Sequence, residues 1–389
     1  MKFRSLPEPG FAWPRWPNYG EEEAAAVSRV IASNQLYAKE EVLSFETAYA
    51  QFSSSSYALG VGNATQGLHL ALAALGVGLG DEVIVTPYSW ISSASCILMQ
   101  NAIPIFCDIE DKTFGIDPIK LEECISERTR AVILVHMSGY PSRVHEIKTI
   151  LAGRNIDLIE DASHAHGALA AGQRIGTVGR IGVFSLHQRK ALAVGDGGII
   201  LTQERELYEK IRRLRSFGDQ ELSYNYRMSE FAAAIGKVRL QNLDDDNARR
   251  RRNHSHLTEE LGDVNEIEVV QPAPSDTAVF YAVLLRVHGE LNARSKRLAR
   301  LQNSGLPLKQ TWDPLHRHPH FNPVVYPARG IPWQMDNYDG PMRDKIYAAV
   351  SLPVVESLCP HGLWELPVHP PVGDAEIEFA VEQLRHVFK

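Results

Sequence analysis

Cysteine is scarce in this chain. There are four in 389 residues, and none of Cys96, Cys107, Cys124 and Cys359 stands in a C-x-x-C pair or at disulfide-framework spacing. That excludes a disulfide-stapled scaffold and fits a reducing compartment, with the thiols expected in the core. No run approaches the ~18 apolar residues that a membrane span needs. The first ten residues lack the apolar stretch of a secretory signal, so a cytoplasmic protein is expected. Positive charge is not in excess either: 40 Lys and Arg against 47 Asp and Glu leave −7, which opposes general attraction to nucleic acid or anionic membrane. Low-complexity tracts and internal repeats are absent, and 44% hydrophobic residues suit a folded globular chain. Its length allows about two domains.

What is present is an alternation. Residues 1–20, with Phe11, Trp13, Trp16 and Tyr19, read as an extended arm lying on another surface. Helices are expected at 21–33 and 41–52. Short Val/Ile-rich runs at 57–61, 82–86, 103–107, 131–136, 156–160, 182–186 and 198–202 read as strands. Helical stretches at 66–75, 92–101, 120–125 and 144–152 lie between them. Buried strands separated by helices imply crossover connections and a largely parallel sheet covered on both faces. Helices at 204–216 and 229–242 follow, the second Ala-rich and packed. Beyond residue 245 the rhythm changes, with strands at 266–270 and 280–287 and helices at 291–302 and 375–388. This predicts a large α/β domain over 1–245 and a smaller α+β domain over 246–389. Arg249 to Arg252, after three aspartates, read as a solvated face of a polar helix or linker, and the Pro-rich stretches 310–332 and 367–371 as loops.

In open α/β sheets ligands sit outside the carboxyl ends of the strands. The polar residues that follow the apolar runs are Thr65, Trp90, His136, Asp161, Ser185 and Lys190, and one pocket would collect them. Lys190 follows a buried strand and precedes an apolar, Gly-rich stretch; desolvation there would lower its pKa and make it a usable amine nucleophile, where a surface lysine is the plainer alternative. Asp161 ends an apolar strand and needs a partner. A structural salt bridge, an N-cap role or a cofactor's pyridinium nitrogen would each serve. Gly60-Val-Gly-Asn-Ala-Thr-Gln-Gly67 is a small-residue turn between strand and helix, whose free N–H groups suit a phosphate. It is not a dinucleotide fingerprint, because Thr65 stands where the third glycine belongs and Asp81-Glu82 precedes the next strand instead of ending it. His164, His166, His316, His318 and His320 are read as lining or loop residues, since prolines interrupt the last three and no ligand set is completed.

Together with Gly80-Asp-Glu-Val-Ile-Val-Thr-Pro87, Pro104-Ile-Phe-Cys-Asp-Ile109, Val135-His-Met-Ser-Gly-Tyr-Pro141, Glu160-Asp-Ala-Ser-His-Ala-His-Gly167, Phe184-Ser-Leu-His-Gln-Arg-Lys190, Gly195-Asp-Gly-Gly198 and Asn225-Tyr-Arg-Met-Ser-Glu230, these residues carry a resemblance. From about residue 18 onward the chain resembles the DegT/DnrJ/EryC1/StrS family of pyridoxal-phosphate-dependent sugar and aminocyclitol aminotransferases.

The resemblance implies the aspartate-aminotransferase-like fold of type I, a mostly parallel seven-stranded sheet between helices. It also implies a homodimer with shared active sites. By it Lys190 is the Schiff-base lysine, Asp161 the partner of the pyridine nitrogen and Trp90 the ring stacked on the cofactor. Ala64, Thr65, Gln66 and Ser185 hold the phosphate, joined by Asn225 of the partner subunit, and His164 replaces the usual glutamine near the phenolic oxygen.

The same resemblance implies a ping-pong transamination through pyridoxamine phosphate, from L-glutamine or L-glutamate to a keto-cyclitol or keto-sugar of antibiotic biosynthesis. Lys190, where dehydratase relatives carry histidine, speaks against that branch. A nucleotide-linked keto-deoxysugar, an aminoshikimate-type ring, another lyase reaction, a nicotinamide oxidoreductase and a non-catalytic binding protein are the alternatives. Three departures stand out: Ala64 for glycine in the phosphate turn, Asp196 for glutamate in the lysine loop, and His164 itself.

Overall fold

The strands are rich in Val, Ile and Leu, and burial on both faces follows. In the computed structural model, which describes residues 12–36, 39–217, 222–321, 332–336, 338–342 and 347–388, two helices open the chain. These are α1 (Glu21–Ser33) and α2 (Glu40–Ser53). Then come β1 (Tyr57–Val61), α3 (Ala64–Leu75), β2 (Glu82–Val85), α4 (Ser92–Met99), β3 (Ile103–Phe106) and α5 (Pro118–Cys124). They are followed by β4 (Thr129–Val135), α6 (Val144–Leu151), β5 (Asp157–Asp161), β6 (Ile181–Ser185) and β7 (Gly198–Thr202). The seven strands form one sheet in the order β1-β7-β6-β5-β4-β2-β3, in which β7 alone runs against its neighbours. The parallel pairing of β6, β5, β4, β2 and β3 brings their carboxyl ends to one edge.

Two glycines set how closely α3 approaches that sheet. A Cβ on Gly67 would lie 2.8 Å from Val183 Cγ1, and one on Gly198 would lie 2.7 Å from the backbone carbon of Asn63. The start of α3 is thereby pressed against β6 and β7. Asn63 caps the helix by accepting from the Gln66 N–H at 3.0 Å, and Gly76, at φ 79°, ends it with its N–H on the Leu72 and Ala73 carbonyls.

After the sheet come α7 (Arg205–Arg215), α8 (Glu230–Gln241) and α9 (Leu243–Leu261). α8, Ala-rich as expected, packs against α1 and α2. α9 takes the helical form of the polar helix or linker expected here, but it runs for 19 residues and buries one face. Its inward stripe is Leu243, Asn247, Arg250, His254, Leu257 and Leu261, at helical spacing but half polar. Arg250 is fully buried, which corrects its reading as a solvated residue; Arg249 and Arg252 are exposed. Its Nη1 donates to Asn247 Oδ1 at 2.8 Å and its Nε to His369 Nδ1 at 3.1 Å, partners that make the burial tolerable.

A second, antiparallel sheet is built from β8 (Ile267–Val269), β9 (Val283–Val287), β10 (Lys309–Gln310) and β11 (Leu363–Leu366), in the order β8-β9-β11-β10. It is flanked by α10 (Leu291–Asn303), α11 (Pro353–Leu358) and α12 (Asp374–Phe388). One continuous apolar cluster runs from Val83 and Ile133 in the large sheet to Leu285 and Trp364 in the small one, so the two sheets share a core. Phe11 of the arm and residues 322–331 of the Pro-rich stretch lie outside the described residues. Among the described residues no helix is long and apolar enough to cross a membrane.

Candidate active site

The carboxyl ends of β1, β4, β5 and β6, with the loop after β2, surround a cavity of about 370 Å³, a size suited to a small ligand. Thr65, Trp90, Asp161, His164, Ser185 and Lys190 all line it, together with Ala64. Three expected residues do not. His136 turns beneath the sheet edge: its Nδ1 accepts from the Ser142 N–H at 3.1 Å, so its Nε2 donates to Glu160 at 3.0 Å, and the pair is fully buried. The Gln66 N–H is taken by the Asn63 cap, and its Oε1 is buried without a hydrogen-bond partner near Gly62. Asn225 is exposed, bridged to Ser216, and outside this chain's own cavity.

At one end of the cavity α3 begins. The N–H groups of Ala64 and Thr65 have no partner within the helix, and the helix dipole adds partial positive charge. Thr65 Oγ1 donates to Ser92 Oγ at 2.8 Å, and Ser185 Oγ accepts from the His187 N–H at 3.3 Å. Hydroxyls and free N–H groups at a helix start are the donor set of a phosphate site.

Across the cavity Asp161 is 5% exposed. Its Oδ2 accepts from Ser93 Oγ at 2.7 Å, itself bonded to Ser89 Oγ at 2.7 Å, and its Oδ1 accepts from the Ser163 N–H at 3.2 Å. Among the described residues no cation lies within ion-pair distance of it, so the alternative of a structural salt bridge fails. A buried carboxylate held only by neutral donors is expensive unless a positive group joins it.

Lys190 is half-buried, with Nζ 5.0 Å from the centre of the Tyr281 ring. Burial pushes its amine down to about 8, with the charges of Asp161 and Glu365 pulling the other way. About a tenth of the amine is then neutral at pH 7, enough for a nucleophile and base. His164 lies flat on Tyr281, ring centres 4.1 Å apart and planes at 4°. Its Nδ1 accepts from the Ser138 N–H at 3.1 Å, which puts the ring proton on Nε2. Burial and the Lys190 charge hold this histidine well below its ordinary range, so it stays a neutral donor. Behind it His166 donates from Nε2 to the Ser185 carbonyl and accepts from Tyr49 Oη, each at 2.8 Å, with burial pushing it down to about 3.

Two lining residues, Ser93 and Tyr281, carried no signal in the sequence. Ser93 looks like any small residue in a short helix. Tyr281 follows Phe280, whose φ of 49° is rare for phenylalanine and marks a backbone fitted to the site. Trp312 stands edge-on to Trp90, ring centres 5.7 Å apart. Glu365 on β11, next to the cavity wall, is 9% exposed; burial pushes its carboxyl up to about 7 against the charges of Lys309 and Lys190.

The folded protein therefore holds a Glu365 proton that the unfolded chain releases at lower pH, and stability is lost as pH rises from the ordinary carboxylate range through 7. Glu365→Gln is expected to match the parent near pH 5 and to exceed it by about 3 kcal/mol at pH 8. Denaturant unfolding at a series of pH values measures this; parallel curves would show that the carboxyl is not held neutral.

The sequence profile of the DegT/DnrJ/EryC1/StrS aminotransferase family matches residues 17–359. The L-glutamine:scyllo-inosose aminotransferase of Streptomyces griseus is 33% identical over 345 residues, 80% of each chain. The L-glutamine:2-deoxy-scyllo-inosose aminotransferase of Streptomyces paromomycinus is 29% identical over 340 residues, again 80% of each. Among solved structures, S. venezuelae DesV in complex with a ketimine intermediate superposes with a TM-score of 0.83 at 28% identity, over 94% of both chains.

Proposed function

Because this chain belongs to the DegT/DnrJ/EryC1/StrS aminotransferase family, and is an aminotransferase, we propose that it moves an amino group from L-glutamine or L-glutamate to a keto-cyclitol of the inosose type. The observation that carries this reading is the buried, cation-free carboxylate of Asp161 in one cavity with the lowered amine of Lys190. Pyridoxal phosphate fits those residues, having a basic nitrogen for Asp161, an aldehyde for Lys190 and a phosphate for the start of α3 with Thr65 and Ser185. Bound there it supplies the electron sink that makes the donor's α-proton removable.

The chain's own residues do the rest. Lys190 Nζ would serve first as nucleophile and then move the donor's α-proton across to the cofactor's carbon within the first half-reaction, running the same transfer in reverse toward the acceptor in the second. Asp161 holds a proton on the cofactor's nitrogen, and neutral His164 offers Nε2–H to an oxygen at the cavity wall. The aromatic wall of Trp90, Trp312 and Tyr281 suits the faces of a ring substrate. The two inosose aminotransferases support a cyclitol acceptor and L-glutamine as donor.

We take the working unit as a cytoplasmic homodimer, with the two domains of each chain dividing near residue 245. Phe217 and Leu222, within eight residues of exposed Asn225 in the sequence, are apolar side chains 63% and 97% exposed. That supports Asn225 acting in a partner's site.

The test is the absorbance of the protein with pyridoxal phosphate before and after L-glutamine. Conversion of the Schiff-base band to that of the pyridoxamine form, reversed by scyllo-inosose, is expected; a band that no amino acid alters would sink the transaminase assignment.

A further inference from the structure

Lys190 is held from outside the cavity as well as within it. The Nε1–H of Trp16, in the arm before α1, donates to the Lys190 carbonyl at 3.0 Å, across 174 positions of sequence. The other main-chain bonds of that loop close on the loop itself: Lys190 N–H to the His187 carbonyl, Gln188 N–H to that of Gly195, and Val194 N–H to that of Leu186. The indole bond is what ties the lysine's own peptide to another part of the chain.

Trp16 is itself fixed from two sides. Its ring stacks on His369, centres 4.8 Å apart and planes at 16°. The guanidinium groups of Arg239 and Arg250 lie 4.7 Å and 5.5 Å from its ring, in cation–π range. Arg239 also donates to the Asn18 carbonyl at 2.9 Å, pinning the arm on either side of Pro17. Buried Arg250 fixes His369 in turn. His369 meets the edge of Tyr281 at 5.4 Å, and Tyr281 lies beneath Lys190 Nζ and flat on His164. Trp16 thus reaches the lysine twice, at its backbone through the N–H and at its amine through His369 and Tyr281.

We propose that Trp16 is a positioning residue for Lys190, a latch from the N-terminal arm that holds the lysine's peptide still while its side chain swings between its bonded and free states. The inference rests on the reading of Lys190 as the cofactor lysine. Its physical basis is that misplacing a reacting amine by about 1 Å costs on the order of 10²-fold in rate.

The experiment has two stages. Borohydride reduction of the holoenzyme followed by peptide mapping first locates the modified lysine. Trp16→Phe, which keeps a ring and removes the N–H, is then compared with the parent in three measurements: the rate at which apoprotein acquires the Schiff-base band on mixing with pyridoxal phosphate, the KM and kcat for L-glutamine, and hydrogen exchange of residues 186–194.

With the label on Lys190, band formation and kcat are expected to fall about 3- to 10-fold, with KM unchanged and faster exchange in the loop. Trp16→Ala, which also removes the stack, is expected to be slower still; should it fail to fold, the phenylalanine variant decides. A label on Lys190 with parental rates in Trp16→Phe would overturn the latch and leave the Lys190 reading intact. A label on another lysine would overturn that reading and the latch with it.

Discussion

Lys190→Ala is expected to leave a folded protein that still takes up pyridoxal phosphate but turns over at least about 10⁴-fold more slowly, and borohydride should trap nothing on it. The fold should survive because the Lys190 side chain makes no ion pair among the described residues, while its carbonyl keeps the Trp16 bond whatever the side chain. Uptake should survive because the start of α3, Thr65, Ser185 and Asp161 are untouched. Chemistry should not, because among the described residues no second amine lines the cavity, and the delocalised guanidinium of Arg189 is a poor nucleophile.

The parent should show the corresponding pH dependence. The neutral amine is the reactive form and burial sets its pKa near 8, so the rate of Schiff-base formation should climb with pH and level off above about 8. Stopped-flow absorbance against pH measures that midpoint. Parental turnover in the alanine variant would remove Lys190 from the mechanism.

The large sheet was legible because its strands are buried on both faces and written in Val, Ile and Leu. α1, β1 and β7 coincide with their expected spans, and the remaining ends move by a few residues where capping and pairing decide them. The buried face of α9 escaped because its inward stripe carries Asn247, Arg250 and His254, which periodicity counts as surface. β10 and β11 escaped because they are two and four residues long and flanked by prolines and turns.

The site divides the same way. Thr65, Asp161, Ser185 and Lys190 each follow an apolar strand, so topology alone gathers them at the strand ends. That rule also nominated His136, and the fold used it to anchor Glu160 instead. Trp16, Tyr281 and Glu365 reach the site from the arm and the second sheet. Their places depend on how distant segments pack, for which no local pattern exists.

Asp161→Asn is the sharper test of the chemistry, because it changes one charge and almost no volume. Ser93 can donate to the asparagine oxygen as it does to the carboxylate, so the local bond and the fold should persist, with unfolding midpoints close to the parent's. What is lost is the negative charge facing the cofactor's nitrogen. Removing one partner of a buried ion pair costs about 3–5 kcal/mol, which at a step depending on that pair is a slowing of roughly 10²- to 5 × 10³-fold. The loss should fall on kcat for both half-reactions, whereas the phosphate contacts, on the opposite side of the cavity, should keep the cofactor bound. Rapid-mixing absorbance with L-glutamine, alongside equilibrium dialysis of pyridoxal phosphate, separates the two. A variant with parental rates would make Asp161 a structural carboxylate sealed by Ser93 and Ser163, whereas one that binds but barely turns over would show that the cavity is organised around a positive charge at that aspartate.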